Sequence, residues 1–259
     1  MRPLRPDHEL ARELAAQAGE RLLALRAGDR EPDELRRAGD RSAHEFLAAE
    51  LARLRSGDAL LSEEGKDDPA RLAADRVWIV DPLDGTREYG EPGRTDWAVH
   101  VALWERGELA AGAVALPAQN RILSTAEPPS RAGPEIAAGA GGQPLRIVVS
   151  RTRPPAFLAP LAARLGAALV PLGSAGAKTA AVILGQADAY VHDGGQYEWD
   201  SAAPVAVAMA AGLHASRLDG SKLAYNQASP WQPDILICPE ALAGALLAAI
   251  GDVRPPATE

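Results

Sequence analysis

Apolar positions recur along the first quarter of the chain at helical intervals. Leu10, Leu14, Leu22 and Leu25 fall near one helical face, so an amphipathic helix is expected from residue 7 to about residue 27, with Asp7 as its N-cap and Gly28 as its stop. A second is expected from about residue 40 to residue 55, where Phe46, Leu47, Leu51 and Leu54 are apolar and Ser56, Gly57 and Asp58 end the run. The spacing then changes. Ala59, Leu60 and Leu61 read as a strand that delivers Ser62, Glu63 and Glu64, and Val77, Trp78, Ile79 and Val80 read as a buried strand with acids at its carboxyl end. Residues 97–104 and 109–116 read as a hairpin joined by the four residues Glu105, Arg106, Gly107 and Glu108, so antiparallel sheet is expected to dominate this half.

Residues 126–144 are dense in Gly, Pro and Ala and contain the expected boundary between two lobes, 1–127 and 145–259. Beyond it, strands at 145–150, 168–172 and 188–191 alternate with helices at 155–165, 175–185 and 200–211. Strands near 213–217 and 234–238 and an Ala/Leu-rich helix close the chain. That alternation is the mark of an α/β half, and no internal repeat is present.

The 259 residues allow one large core or two modest ones. A net charge of −8 and a pI near 5.2 argue against a nucleic-acid polymer as partner, because no basic stripe is available to offset phosphate charge. A small phosphorylated metabolite stays open if cations escort it. The single cysteine, Cys238, permits no intrachain disulfide and is expected as a buried thiol in a strand, consistent with a reducing cytoplasm. The charged start of the chain is followed by no apolar stretch, and other apolar runs fall short of the ~18 residues that span a bilayer, so a cytoplasmic protein without membrane partners is expected.

The chemistry lies in acids far apart in sequence: Glu63, Asp81 and Asp84 in DPLDGT, and Asp200 in EWDSAAP. Asp84 followed by Gly85 is also an ordinary turn signal, and DPLDGT alone could be a loop with two solvated acids. However, an acid pair separated by Pro82 and Leu83 can aim two carboxylates and the Leu83 carbonyl at one point, an oxygen set that suits Mg²⁺ or Mn²⁺. Two carboxylates about 5 Å apart repel by ~3 kcal/mol at an effective dielectric near 20, and four together approach ~20 kcal/mol before relaxation. Such a cluster makes sense around cations and little sense as structure.

Thr86 and Asp40 can act as a pair, the hydroxyl orienting water and the carboxylate taking its proton, although Asp40 also reads as a helix N-cap. Gly85 and Thr86 are expected to open a short turn with N–H groups toward a phosphate. Glu64 either braces the acids or is solvated. His8, His44, His100, His192 and His214 lack paired ligand spacing and read as bystanders, and Ser150 lacks the Gly flanks of a hydrolase nucleophile.

DPLDGT at 81–86, the upstream Ser62, Glu63 and Glu64, and Trp199 and Asp200 followed by Ala202, Ala203, Pro204, Ala211 and Gly212 together resemble the inositol monophosphatase superfamily, in the right order and over nearly the whole chain. Within it the chain is most similar to the bacterial 3'(2'),5'-bisphosphate nucleotidases, which remove the 3'-phosphate of adenosine 3',5'-bisphosphate left by sulfate assimilation. Ser150, Arg151, Gly173, Ser174 and Lys178, with Leu218, Asp219, Gly220, Leu223 and Tyr225, carry that narrower resemblance.

The resemblance implies an α/β (α+β) fold layered as an αβαβα sandwich, two to three Mg²⁺ per site with Mn²⁺ as a substitute, inhibition by lithium, and a homodimer. Carried over by position, Glu63, Asp81, the Leu83 carbonyl, Asp84 and Asp200 hold the metals, and Asp40, Glu63 and Thr86 serve catalysis. Gly85 and Thr86 hold the phosphate. Ser150, Arg151, Gly173, Ser174, Lys178 and Asp200 meet the substrate, with a helix cap and a solvated lysine as the plainer readings of Ser174 and Lys178. One departure stands out: where the family usually has a Val-Thr pair before the aspartate, this chain has Arg36, Arg37, Ala38 and Gly39 before Asp40. Rival readings are an inositol 1-phosphate or fructose 1,6-bisphosphate phosphatase and, from another class, a non-catalytic metal- or nucleotide-binding regulator. Thr86 beside intact acids argues against the regulator.

Overall fold

The computed structural model describes residues 6–130 and 144–254. Two helices open the chain, α1 (Asp7–Arg26) and α2 (Pro32–Leu54), followed by β1 (Ala59–Ser62), β2 (Arg76–Asp84), α3 (Thr86–Gly90), β3 (Ala98–Glu105), β4 (Glu108–Leu116) and β5 (Arg121–Ser124). The second half runs β6 (Arg146–Ser150), α4 (Leu158–Leu165), β7 (Ala168–Leu172), α5 (Ala175–Ile183), β8 (Ala189–Tyr197), α6 (Glu198–Ala210), β9 (Leu213–Ser216), β10 (Trp231–Pro239) and α7 (Glu240–Val253).

The five strands of the first half form one sheet in sequence order, antiparallel except for the β1–β2 pair. The second sheet, ordered β7-β6-β8-β10-β9, is mixed: β6 runs parallel to β7 and β8, while β10 is antiparallel to β8 and β9. Helices α1 and α2 cover the outer face of the first sheet, α5 and α6 lie between the sheets, and α4 and α7 cover the far face of the second. That is the expected αβαβα sandwich. The middle layer is thin because it is built from small side chains such as Ala177, Ala180, Ala202 and Ala203, which let both sheets approach the same two helices. Most of the expected boundary, at residues 131–143, lies outside the described residues.

Several local expectations change. The cap of α1 is Pro6, and Asp7 instead lies within ion-pair distance of Arg55 at 2.8 Å and Arg76 at 2.9 Å. Burial alone would raise its carboxyl, but those two guanidiniums hold it below the usual range. Helix α2 begins eight residues earlier than its apolar run, so Asp40 sits mid-helix and caps nothing. The hairpin connection is shorter than read: Glu105 pairs with Glu108, leaving Arg106 and Gly107 as a two-residue turn with φ of 47° and 99°. Strand β5 and helix α3 are additional elements. Cys238 is buried in β10, and burial pushes its thiol up to about 12.

Candidate active site

Strand β2 explains how Asp81 and Asp84 face the same way. Side chains alternate along a strand, so positions three apart would normally point to opposite faces. Here the pairing with β3 slips between Asp81, opposite His100, and Asp84, opposite Ala98: three steps on β2 match two on β3. The extra residue is a bulge at Pro82 and Leu83, a position where a proline without an N–H is tolerated. Both carboxylates thus continue the face of Val77 and Ile79, toward the middle layer. Glu63 follows Leu61 of β1, whose partner is Ile79, and arrives on that face as well.

Helix α6 contributes Asp200 from its first turn, where one carboxylate oxygen accepts the Tyr197 N–H at 2.7 Å. Side-chain oxygens of Asp81, Asp84 and Asp200 then lie within 4.8 Å of one another. Glu63 stands beside this group, hydrogen-bonded to Asp81. Thr86 Oγ1 bonds the Leu83 carbonyl at 3.1 Å and reaches Asp40 Oδ1 at 3.3 Å. Asp40 comes that close because Gly39 carries no Cβ, which would stand 2.7 Å from Tyr89 and 3.0 Å from Leu83. The departure at residues 36–39 therefore continues a helix docked onto α3.

Electrostatics divides the acids. Burial and the neighbouring acids, Asp200 foremost, push Glu63 up to about 8, and burial with Asp84 pushes Asp200 up to about 7. Burial, Glu63 and Asp84 raise Asp81 well above the usual range. Asp84 goes the other way. Burial would raise it, but His100, Lys178 and the Gly176 N–H together hold it low. Three carboxyls that resist ionising beside one that does not, with a backbone carbonyl alongside, form an all-oxygen donor set suited to a hard divalent cation.

His100 was not expected here. Fully buried, it places Nε2 3.1 Å from Asp84 Oδ2 and Nδ1 3.2 Å from the Trp199 carbonyl, linking β3 to the residue before Asp200. Its signal in the sequence was position, not spacing, since it faces inward between Ala98 and Ala102 on an alternating strand. Gly176 donates its N–H to Asp84 Oδ2 at 2.8 Å, and a Cβ there would meet His100 Nε2 at 2.3 Å. Ala for Gly inside a helix usually stabilises. Gly176→Ala is expected to do the reverse, lowering the melting temperature by on the order of 5 °C through overpacking, as read by thermal denaturation.

Beside the acids opens a cleft of about 380 Å³. Gly85, Thr86, Ser150, Arg151, Gly173, Ser174, Lys178 and Asp200, the eight residues expected to meet substrate, all line it. Ser174 also caps α5, its Oγ accepting the Ala177 N–H at 2.8 Å. Lys178 is no solvated lysine: it is 4% exposed and donates to the Gly173 carbonyl. Burial lowers its pKa against the pull of Asp84 and Asp200. Arg151 is held by Glu88 at 2.6 Å and Glu91 at 2.9 Å. The lining includes Arg153 and Gln196, which the sequence did not single out, and His192. His192 is therefore no more a bystander than His100. Leu223 and Tyr225, by contrast, line a separate cavity of about 320 Å³.

An αβαβα sandwich that gathers oxygen ligands at the mouth of a polar cleft defines a metal-dependent phosphatase. The model of the inositol monophosphatase family matches residues 5–253, and the chain belongs to that family. It is 55% identical over 243 residues to a 3'-phosphoadenosine 5'-phosphate phosphatase of Mycobacterium bovis, covering 91% of this chain and 90% of that one. It is 31% identical to the 3'(2'),5'-bisphosphate nucleotidase CysQ of Escherichia coli, over 83% of this chain and 92% of the relative. Among solved structures, CysQ from Bacteroides thetaiotaomicron superposes with a TM-score of 0.76 at 24% identity, covering 90% and 97% of the two chains. No helix among the described residues is long and apolar enough to cross a membrane.

Proposed function

We propose that this chain is a Mg²⁺-dependent phosphomonoesterase that cleaves the 3'-phosphate of adenosine 3',5'-bisphosphate, and of its sulfated analogue, yielding AMP from the former and clearing a by-product of sulfate assimilation in the cytoplasm. The observation that carries this reading is the convergence of an oxygen cluster from two separate elements, β2 and α6, on a cleft large enough for a nucleotide and lined from both halves, 1–127 and 145–259. The names of the mycobacterial and enterobacterial relatives support the substrate.

Asp81, the Leu83 carbonyl, Asp84 and Asp200, with Glu63, would hold two to three Mg²⁺, or Mn²⁺, which supply neutralising charge to the phosphoryl oxygens and acidify the attacking water. The protein's own groups do the rest. Thr86, fixed between Leu83 and Asp40, orients the nucleophile along the line of attack. Asp40 is pushed up to about 7 by burial and by Glu64, so it can accept a proton near neutrality. Gly85 and Thr86 present the start of α3 to the phosphate, and Ser174 and Lys178 bound the cleft on the side of α5. The reaction is a direct displacement and needs no phosphoenzyme.

A substrate panel tests the reading. With Mg²⁺, kcat/KM for adenosine 3',5'-bisphosphate should exceed that for inositol 1-phosphate and fructose 1,6-bisphosphate by on the order of 10⁴-fold, the discrimination expected when buried polar groups are paired by one substrate only. Preference for either of the others would reassign the substrate. Cation binding with no turnover across the panel would mark a regulator.

A further inference from the structure

A bisphosphate brings a second phosphate to the cleft, and the obvious cation is spoken for. Arg151 lines the cleft, but its guanidinium donates to Glu88 Oε1 through both Nε and Nη2 and to Glu91 Oε1 through Nη2. Two carboxylates already neutralise it. A dianion arriving there would face Glu88, itself buried and packed against Gly173, where an added Cβ would meet its side chain at 2.5 Å.

Farther along the same lining the balance reverses. Arg153 has no ion-pair partner among the described residues, and its Nη1 lies over the backbone of Gly195, 3.3 Å from where a Cβ would stand. His192 is 5% exposed, yet beyond a loose approach to the Gly194 backbone neither ring nitrogen has a hydrogen-bond partner among the described residues. Unpaired buried polar atoms of this kind are costly, and few survive without a ligand or water to satisfy them. Gln196, also buried, donates Nε2 to the Tyr190 hydroxyl at 2.8 Å and leaves Oε1 unpaired. A half-turn of the amide lets Oε1 accept from that hydroxyl and offers Nε2 to the cleft. Burial, then Lys178 and Arg153, press His192 down to about 4, so it meets a ligand as a neutral ring with one N–H to give.

Resting on the bisphosphate reading, we propose that the second phosphate of the substrate is bound by Arg153 and His192, with Gln196 beside them, and that Arg151 shapes the cleft wall without contacting it. A guanidinium without a carboxylate partner and an N–H donor without an acceptor are what a phosphate oxygen requires. The residues come from the β6–α4 connection and from β8, so the subsite forms only when both are in place.

The test compares two substrates that differ only in that group, adenosine 3',5'-bisphosphate and adenosine 3'-monophosphate, in the Mg²⁺-loaded enzyme. The readout is the ratio of their kcat/KM values. Arg153→Gln and His192→Phe should each shrink the ratio by about 10- to 100-fold, mostly through KM for the bisphosphate, as expected for a hydrogen bond to a charged group. Arg151→Gln should leave the ratio within about twofold even if it lowers both values. The opposite pattern, a ratio that collapses in Arg151→Gln and survives in Arg153→Gln and His192→Phe, overturns the assignment. Arg153→Lys should retain part of the ratio that Arg153→Gln loses, which a merely structural arginine would not require. A wild-type enzyme that favours inositol 1-phosphate would refute the substrate reading instead, and the panel above reports that separately.

Discussion

Asp84→Asn is expected to lower kcat by roughly a thousandfold or more while leaving the fold in place, and Asp200→Ala to do the same, because each removes charge that must be matched to developing phosphoryl charge. The two variants fail for different reasons. Asparagine keeps the shape of Asp84 and an oxygen for the Gly176 N–H, so α5 keeps its place. What is lost is the one carboxylate of the cluster that His100 and Lys178 hold ionised. Alanine at 200 removes an acid that burial and Asp84 push up to about 7, and it also frees the Tyr197 N–H that starts α6. Circular dichroism should match the parent for both. Retention of more than about a tenth of wild-type kcat in either variant would remove the cluster from the chemistry.

The metal-free protein should lose stability as the medium turns alkaline. Glu63 near 8, with Asp40 and Asp200 near 7, have folded-state pKa values well above those of the same groups in an unfolded chain, about 4. Between those limits the folded state holds protons that the unfolded state has released. Stability is therefore greatest below about pH 4 to 5 as far as these groups are concerned, and falls as pH rises through 7 to 8. Asp84, held low, acts oppositely, but its contribution changes only at more acid pH. In the presence of a chelator the melting temperature at pH 8 should lie below that at pH 5.5 by ~5 °C or more. Mg²⁺ at about 100 times its dissociation constant should return ~2.7 kcal/mol at pH 8 and much less at pH 5.5, where protons compete for the same oxygens. Scanning calorimetry at the two pH values checks this. A chelated protein that grows more stable toward pH 8 would mean the acids do not crowd one another.

Much of this architecture could be read from residue order, and the exceptions share a cause. Strands and helices with plain apolar periodicity, such as α1, β3 and α5, fall where expected within a few residues. Helix α2 began too late in the reading because its first two turns show the core only Leu35 and Gly39, and a glycine that permits close approach carries no hydrophobic signal. The three acids that gather in the structure, Asp81, Asp84 and Asp200, were legible from DPLDGT and EWDSAAP. The bulge that turns Asp81 and Asp84 the same way was not, since it exists only in the pairing with β3. His100 and His192 were passed over because histidines were weighed by their mutual spacing. What matters for both is the surroundings that folding supplies: Asp84 for one, and for the other a buried ring whose nitrogens are left without a well-formed hydrogen bond among the described residues.

The cross-links through His100 and Gly176 have a mechanical meaning. Asp84 ends a strand of the first sheet, yet its carboxylate is gripped by the helix that opens the layer behind it, and His100 reaches the carbonyl next to Asp200 in the same layer. The seam between the two halves of the molecule is thus stitched by the residues that would receive the ion. Stripping the cation should loosen that seam as well as silence the enzyme, so amide exchange should quicken first at the start of α5 and α6.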